Sequence, residues 1–404
     1  MRALPIRCAL LLAAAALLCA AVGAAAAPPD DLSDDPLDRG ALLALPSLYR
    51  VDMTLSVSAL RTADGRRVPI PRDQRRISER GTAFAVAPGG WLVTAAHVAV
   101  PDDETVARLV YQNRLANQGQ PHSDAQALQW VRETGARPVD PRLVRLEVSQ
   151  ADAGQGAAGS RSYFPTRIQK SERADLALLR IDAPGAPALA LDESGSIGTP
   201  VASLGFGTDG AFAEPARGDL VPAMRRGELA RTGLLEEDTP DQRQAILLTV
   251  PVQSGDSGGP IIDAEGNARG VAVIRTDDGG IAERSTEVRQ LLEDAGVEPG
   301  TGRSAELFRG AMGAFWNLDL ATAQDGLEAT QKAYPDHTLA ALEQRRAGDL
   351  AEADFDLVGE RRAQGFLLAL GALALAAALA CAIGLARSSR RGGRGTLRTP
   401  TERG

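Results

Sequence analysis

The sequence predicts an all-β sandwich or barrel, followed by a small α-helical region and one apolar segment of membrane-spanning length. Three observations carry this reading. From Tyr49 to Ile274, short apolar alternations recur between Gly/Pro turns, with almost no helical periodicity. From Leu307 the apolar spacing becomes that of a helix. Phe366–Ala386 then runs 21 residues without a charge, enough for a hydrocarbon core of about 30 Å.

In chain order, Arg2 and Arg7 precede the apolar stretch Ala9–Val22 and the small residues Gly23–Ala27. That order describes a secretory signal peptide over residues 1–26. Residues 27–48 form an acidic linker, and PPDDLSDDPLDRG within it has the composition of a disordered spacer. Val51–Leu60 alternates and ends at the Asp64-Gly65 turn. Gly81–Ala87 and Trp91–Ala95 flank Pro88-Gly89-Gly90 as a hairpin. Arg142–Val148, Ala174–Ile181, Val201–Phe206, Ala245–Val250, Pro260–Ile262 and Gly270–Ile274 continue the strands. Residues 101–159 are long and Gln/Ala/Gly-rich and read as a part-helical surface insertion. The β region, 49–295, closes at the linker GVEPGTG, residues 296–302.

Residues 303–358 then carry helical faces. Leu307, Phe308, Ala311, Phe315 and Leu318 line one, and Ala323, Leu327 and Tyr334 line another before Pro335. Two readings stand: a tetratricopeptide-like hairpin that binds a protein partner, or a helical stalk packed on the β domain or the membrane surface. The span is expected at 366–386, and the tail 387–404 holds six arginines against Glu402. Basic residues beyond a span stay in the cytoplasm, which puts the β domain outside. The whole chain carries a net charge of −8, leaving about −15 once the basic ends are set aside. An acidic body of this kind excludes nucleic acid as a partner. Of 44 basic residues only Lys170 and Lys332 are lysines, the usage of a GC-rich bacterial genome. The expected location is the bacterial cytoplasmic membrane.

Cysteine and histidine counts narrow the chemistry. Cys8, Cys19 and Cys381 all fall in the terminal apolar runs, so residues 20–380 hold no thiol. A disulfide framework, a cysteine nucleophile and a thiolate metal site are thereby excluded there, and no cofactor or metal is implied. With three histidines a polyhistidine metal centre is excluded as well. His122 and His337 read as surface residues, leaving His97 in Thr94-Ala95-Ala96-His97. Two further segments stand out, Ala174-Asp175-Leu176-Ala177-Leu178-Leu179 and Gly255-Asp256-Ser257-Gly258-Gly259-Pro260. A serine hydroxyl needs a base to become a nucleophile, and histidine suits that role near neutral pH. A buried aspartate fixes the imidazole tautomer. Glycines beside the serine let backbone N–H groups converge on an oxyanion. Each segment alone is ambiguous; all three in the order His, Asp, Ser are not.

These segments resemble the chymotrypsin-fold, trypsin-like serine proteases over about Tyr49 to Leu292. In detail they are similar to the bacterial HtrA/Deg type. GTAFAVAPGGWLVTAAHV (81–98), VASLGFG (201–207) and SGGPII (257–262) carry the likeness. The resemblance implies two six-stranded barrels with His97 as base, Asp175 as orienting acid and Ser257 as nucleophile. It places the oxyanion donors at the N–H groups of Gly255 and Ser257. It puts Pro251 near the base of the specificity pocket and Val273, Ile274 and Arg275 on its wall, pairing with an extended substrate. Small or medium apolar side chains are expected before the scissile bond. No activating N-terminal motif precedes the domain, so Asp256, which binds a freed N-terminus in zymogen-type relatives, needs another partner. No PDZ module is seen. The implied function is a membrane-anchored extracytoplasmic serine endopeptidase acting on proteins or peptides. The alternative is a protease-fold binding or sensing protein in which catalysis is dispensable.

Overall fold

The computed structural model describes residues 34–120, 123–150, 161–207, 222–234, 244–276 and 278–353, with residue 373. The expected signal peptide, apolar span and basic tail, all three cysteines and His122 lie outside these, residue 373 of the span aside. No described helix is long and apolar enough to cross a membrane.

The described residues open with a helix, α1 (Pro36–Ala44), inside the segment expected as a spacer. Asp35 caps it by accepting the N–H of Leu37 at 2.8 Å, and Pro36 fills the first turn, where no amide donor is needed. Leu37, Ala41 and Ala44 are buried, so the acidic composition hides an amphipathic helix. Two sheets follow. The first uses β1 (Leu48–Ser56), β4 (Arg76–Ala87), β5 (Trp91–Ala95), β7 (Arg142–Gln150), β8 (Ser162–Tyr163), β9 (Arg167–Lys170) and β10 (Leu176–Arg180), in the order β8-β7-β1-β4-β5-β10-β9. The intervening β2 (Ala59–Arg61), β3 (Arg67–Pro69) and β6 (Arg137–Val139) make a separate three-stranded sheet. The second half is a closed barrel of β11 (Pro200–Gly205), β12 (Ala223–Leu234), β13 (Gln244–Leu248), β14 (Pro260–Ile262), β15 (Ala268–Thr276) and β16 (Gly279–Arg284).

The first half thus differs from the expected six-stranded barrel. Among the described residues it is a seven-stranded sheet with short end strands, its ladder unclosed between β8 and β9. The stretch expected as an insertion also divides. α2 (Ala96–Ala99) is followed by α3 (Asp103–Asn117) and α4 (Asp124–Thr134), which pack as a helical pair. Residues 142–150, however, are β7, paired with β1 from Tyr49↔Gln150 to Ser56↔Arg142. Backbone pairing, which composition does not report, makes this part integral to the sheet.

Strands β4, β5 and β10 show why the apolar runs near the motifs are continuous. Ala83, Ala85, Leu92, Ala177 and Leu179 face the core of the first sheet. Phe84, Val86, Val93, Leu176 and Leu178 point the other way, into a cluster with Leu204, Ile262, Ala268 and Val271 of the barrel. Side chains alternate across a strand, so a strand with a core on each face must be apolar throughout. These three strands form the wall between the halves.

After α5 (Ser285–Asp294), helices α6 (Arg303–Trp316), α7 (Leu320–Ala333) and α8 (Thr338–Glu352) form their own core from Phe308, Met312, Phe315, Leu327 and Leu339. They dock on the β region. Ser304 Oγ donates to the carbonyl of Gly185 at 2.6 Å, and Tyr334 donates to Gln150 Oε1 at 2.8 Å. Leu42, Leu43 and Leu45 pack against the helical core. His337, expected at the surface, is buried between Phe308 and Tyr334. Its Nδ1 accepts the N–H of Ala340 at 3.1 Å and caps α8, a role the preceding proline did not signal.

Candidate active site

β5 runs into the single turn α2, which carries His97. β10 pairs with β5 starting at Leu176↔Ala95, so the residue before β10, Asp175, lies beside the residues after β5. The ladder extends by one more bond, from the N–H of Ala96 to the carbonyl of Asp175 at 3.0 Å. His97 and Asp175, 78 residues apart in sequence, are brought together by this register. Asp175 Oδ2 is 2.6 Å from His97 Nδ1, and Oδ1 accepts the backbone N–H of His97 at 3.0 Å. A carboxylate only accepts, so the proton is on Nδ1 and Nε2 keeps its lone pair. Glu283 of β16, itself buried, accepts the N–H of Asp175 at 3.0 Å through Oε1.

The imidazole's basicity follows from this setting. Burial works to lower the His97 pKa, but the hydrogen bond and charge of Asp175, with the field of Glu79, leave it raised above the ordinary 6.5. Arg108 of α3 acts in the opposite sense. The helical pair therefore reaches the site electrostatically. Glu79 is half-buried on β4, and burial pushes its carboxyl up while Arg108 and His97 draw it down.

Ser257 lies in the turn between β13 and β14. Gly255 and Gly258 flank it with φ of +97° and +89°, values that a side chain would strain. Gly258 also touches the wall. A Cβ there would run into the Thr82 carbonyl and Thr94 Oγ1, and would lie 2.9 Å from the Ala95 nitrogen. The Ser257 carbonyl accepts the N–H of Thr82 at 2.8 Å. The serine turn is thus seated on β4 and β5, two residues short of His97. Among the described residues Ser257 Oγ and His97 Nε2 are not hydrogen-bonded to each other, and the N–H groups of Gly255 and Ser257 have no acceptor.

Asp256, between the two expected oxyanion donors, is fully buried. Arg225 of β12 donates Nη1 to both its oxygens, at 2.9 and 3.1 Å. The N–H groups of Gln253 and Gly207 complete the set at 2.8 and 2.9 Å. Burial raises the Asp256 pKa, opposed by the Gln253 hydrogen bond and the Arg225 charge. Arg225 is the partner that Asp256 needed, and no sequence spacing announces it. It is aligned by β11–β12 pairing, Ser203↔Arg225.

The residues expected around the substrate fall as follows. Val273 is buried, Ile274 is 45% exposed and Arg275 is exposed. Beyond Ala272, which bonds back to Gly258 and Gly259, β15 pairs with β16 alone among the described residues. Among the described residues its other edge carries no strand beside the Ser257 turn, as strand addition by a peptide requires. Pro251 is exposed, while Val252 is buried against Gly280.

Comparison with known proteins gives the same direction. Residues 81–271 match the model of the trypsin-like peptidase domain. Serine protease Rv3671c of Mycobacterium tuberculosis strain H37Rv and serine protease MT3772 of strain CDC 1551 are each 31% identical over 152 residues. The match covers 36% of this chain and 37% of each relative, so it spans about a third of the curated proteins' length. Among solved structures, the HtrA-type protease AlgW with a decapeptide is 17% identical, with a TM-score of 0.43 over 64% of this chain and 67% of that one. The active form of the Rv3671c protease from M. tuberculosis is 19% identical, with a TM-score of 0.40 over 69% and 91%. The domain match and the curated serine proteases support a serine endopeptidase of trypsin-like type.

Proposed function

We propose that this chain is a serine endopeptidase of the bacterial cell envelope, held by one C-terminal span with its catalytic domain outside the cytoplasm. The observation that carries the catalytic part is the double hold of Asp175 on His97, beside a serine turn docked on β4 and on β5, the strand that leads into His97. His97 Nε2 takes the proton of Ser257 as Oγ attacks the scissile carbonyl, and Asp175 stabilises the imidazolium that forms. The N–H groups of Gly255 and Ser257 receive the oxyanion, an effect worth about 10²–10³ in rate per donor elsewhere. His97 returns the proton to the leaving amine, and water then clears the acyl-enzyme. The envelope location is supported by the uncharged run 366–386 and the arginines after it. Substrates would be proteins or peptides bound as a strand along the open edge of β15, with apolar side chains before the cut.

The binding-protein reading draws on one observation, the unmade bond between Ser257 and His97. A fluorophosphonate probe separates the two. Labelling of the wild type that vanishes in Ser257→Ala supports the protease, since the probe needs an activated serine. A folded wild type that takes no label, and cleaves no peptide, supports the binder.

A further inference from the structure

Thr82 is a residue that the triad does not include, yet its N–H and hydroxyl bond the serine turn and its carbonyl bonds the strand that leads into His97. It is fully buried near the middle of β4, on the wall between the halves. Its N–H donates to the carbonyl of Ser257 at 2.8 Å. Its hydroxyl donates to the carbonyl of Gly255 at 2.8 Å and accepts the N–H of Phe206 at 3.0 Å. Its own carbonyl accepts the hydroxyl of Thr94, three residues before His97, at 2.6 Å. The hydroxyl has one proton, and the Phe206 N–H occupies its acceptor side, so the bond to Gly255 is forced in direction. One residue of the first sheet therefore ties the nucleophile, an oxyanion donor, the end of β11 and the histidine-bearing strand.

From this geometry we infer that the Thr82 hydroxyl is a positioning residue for the oxyanion hole, which rests on the protease reading above. The peptide between Gly255 and Asp256 is held from both ends, by Thr82 at the carbonyl and by Gln253 at the Asp256 nitrogen, 3.0 Å away. Gly255 at positive φ resists little on its own, because glycine visits many conformations. Without the hydroxyl, two buried backbone groups lose their partner and the turn relaxes to satisfy them. The donors then miss the position where charge develops, which costs turnover more than ground-state binding.

Thr82→Val keeps the shape and removes the hydroxyl; Thr82→Ser keeps the hydroxyl. In the full-length protein in detergent, Thr82→Val should lower kcat about 10- to 100-fold with KM within about twofold, in line with partial loss of oxyanion donors. Thr82→Ser should stay within about fivefold of wild type. Hydrogen exchange by mass spectrometry gives a readout free of turnover. Peptides covering 253–259 should exchange faster in Thr82→Val, while β1 and β10 stay protected. Wild-type kcat in Thr82→Val, equal losses in both variants, or unchanged exchange at 253–259 would overturn the assignment. If Thr82→Val does not fold, Thr82→Ser carries the test through kcat and exchange relative to wild type; a serine variant that loses turnover as completely as Ser257→Ala sinks the proposal. A wild type that neither labels nor cleaves would refute the protease reading separately, with the exchange result still deciding whether Thr82 holds the turn.

Discussion

Replacing Arg225 with methionine tests whether the charge beneath the serine turn holds that turn in place. Asp256 is fully buried and Arg225 is 17% exposed at its side chain, so the pair is nearly desolvated. Removing one member of a buried pair costs about 3–5 kcal/mol, because the remaining charge has no counter-ion. Two backbone N–H groups still serve Asp256, which argues for the lower end, about 3 kcal/mol. For a domain of this size that is a fall in Tm of about 6–12 °C. The sign with pH follows from the carboxyl, already raised above its ordinary 3.8 by burial and raised further once Arg225 is gone. Well below pH 3.8 the carboxyl is protonated whether the chain is folded or not, and the loss disappears. The penalty grows as pH rises through the folded-state pKa, since the unfolded chain ionises first. Differential scanning calorimetry of wild type and Arg225→Met at several pH values measures it. Arg225→Met/Asp256→Asn should recover much of the loss at neutral pH. A methionine variant within about 2 °C of wild type, or a deficit that does not change with pH, would refute the reasoning.

Two other outcomes follow from the electrostatics. Catalysis needs neutral His97, so the acidic limb of kcat/KM should lie above pH 6.5; Glu79→Gln should move it down and Arg108→Gln should move it up, as read from pH–rate profiles. His337, held down to about 4 by burial, should cost about 3 kcal/mol of stability as pH falls from 6.5 to about 4, because only the unfolded chain takes up the proton there. His337→Asn keeps an N-cap acceptor and should flatten the acid side of the stability profile, measured by denaturant titration.

The parts legible in the sequence are those where one backbone position admits few residues. Gly255 and Gly258 are required by positive φ and by the close approach of Phe206 to the one and Thr82 to the other, and they mark the serine turn without any structure. The apolar runs of β4 and β10 are equally plain, because strands with a core on each face allow no polar alternation. What stayed hidden depends on pairing at a distance. Arg225 and Thr82 look like any arginine and threonine on a strand until β12 lies beside β11 and the serine turn lies on β4. β7 is legible as a strand over 142–148, but its place in the sheet is not, because its first four residues are exposed and its partner β1 lies about 90 residues earlier. α1 had a readable signal in Asp35-Pro36, but the acidic composition around it suggested a spacer. His337 was misplaced for a similar reason, since its burial comes from Phe308 on another helix.

The side chain of Gln150 joins three distant stretches of chain. Its amide donates to the carbonyl of Pro46, 104 residues earlier, and accepts the hydroxyl of Tyr334, 184 residues later. The strand that starts the first sheet is therefore finished by contacts from near the end of the described chain. Tyr334 follows Gln150 by 184 residues in the chain, so until the helices are in place water serves the Gln150 amide oxygen. Docking of the helices completes this joint, and native-state exchange should release 46–50, 148–150 and 330–337 as one unit.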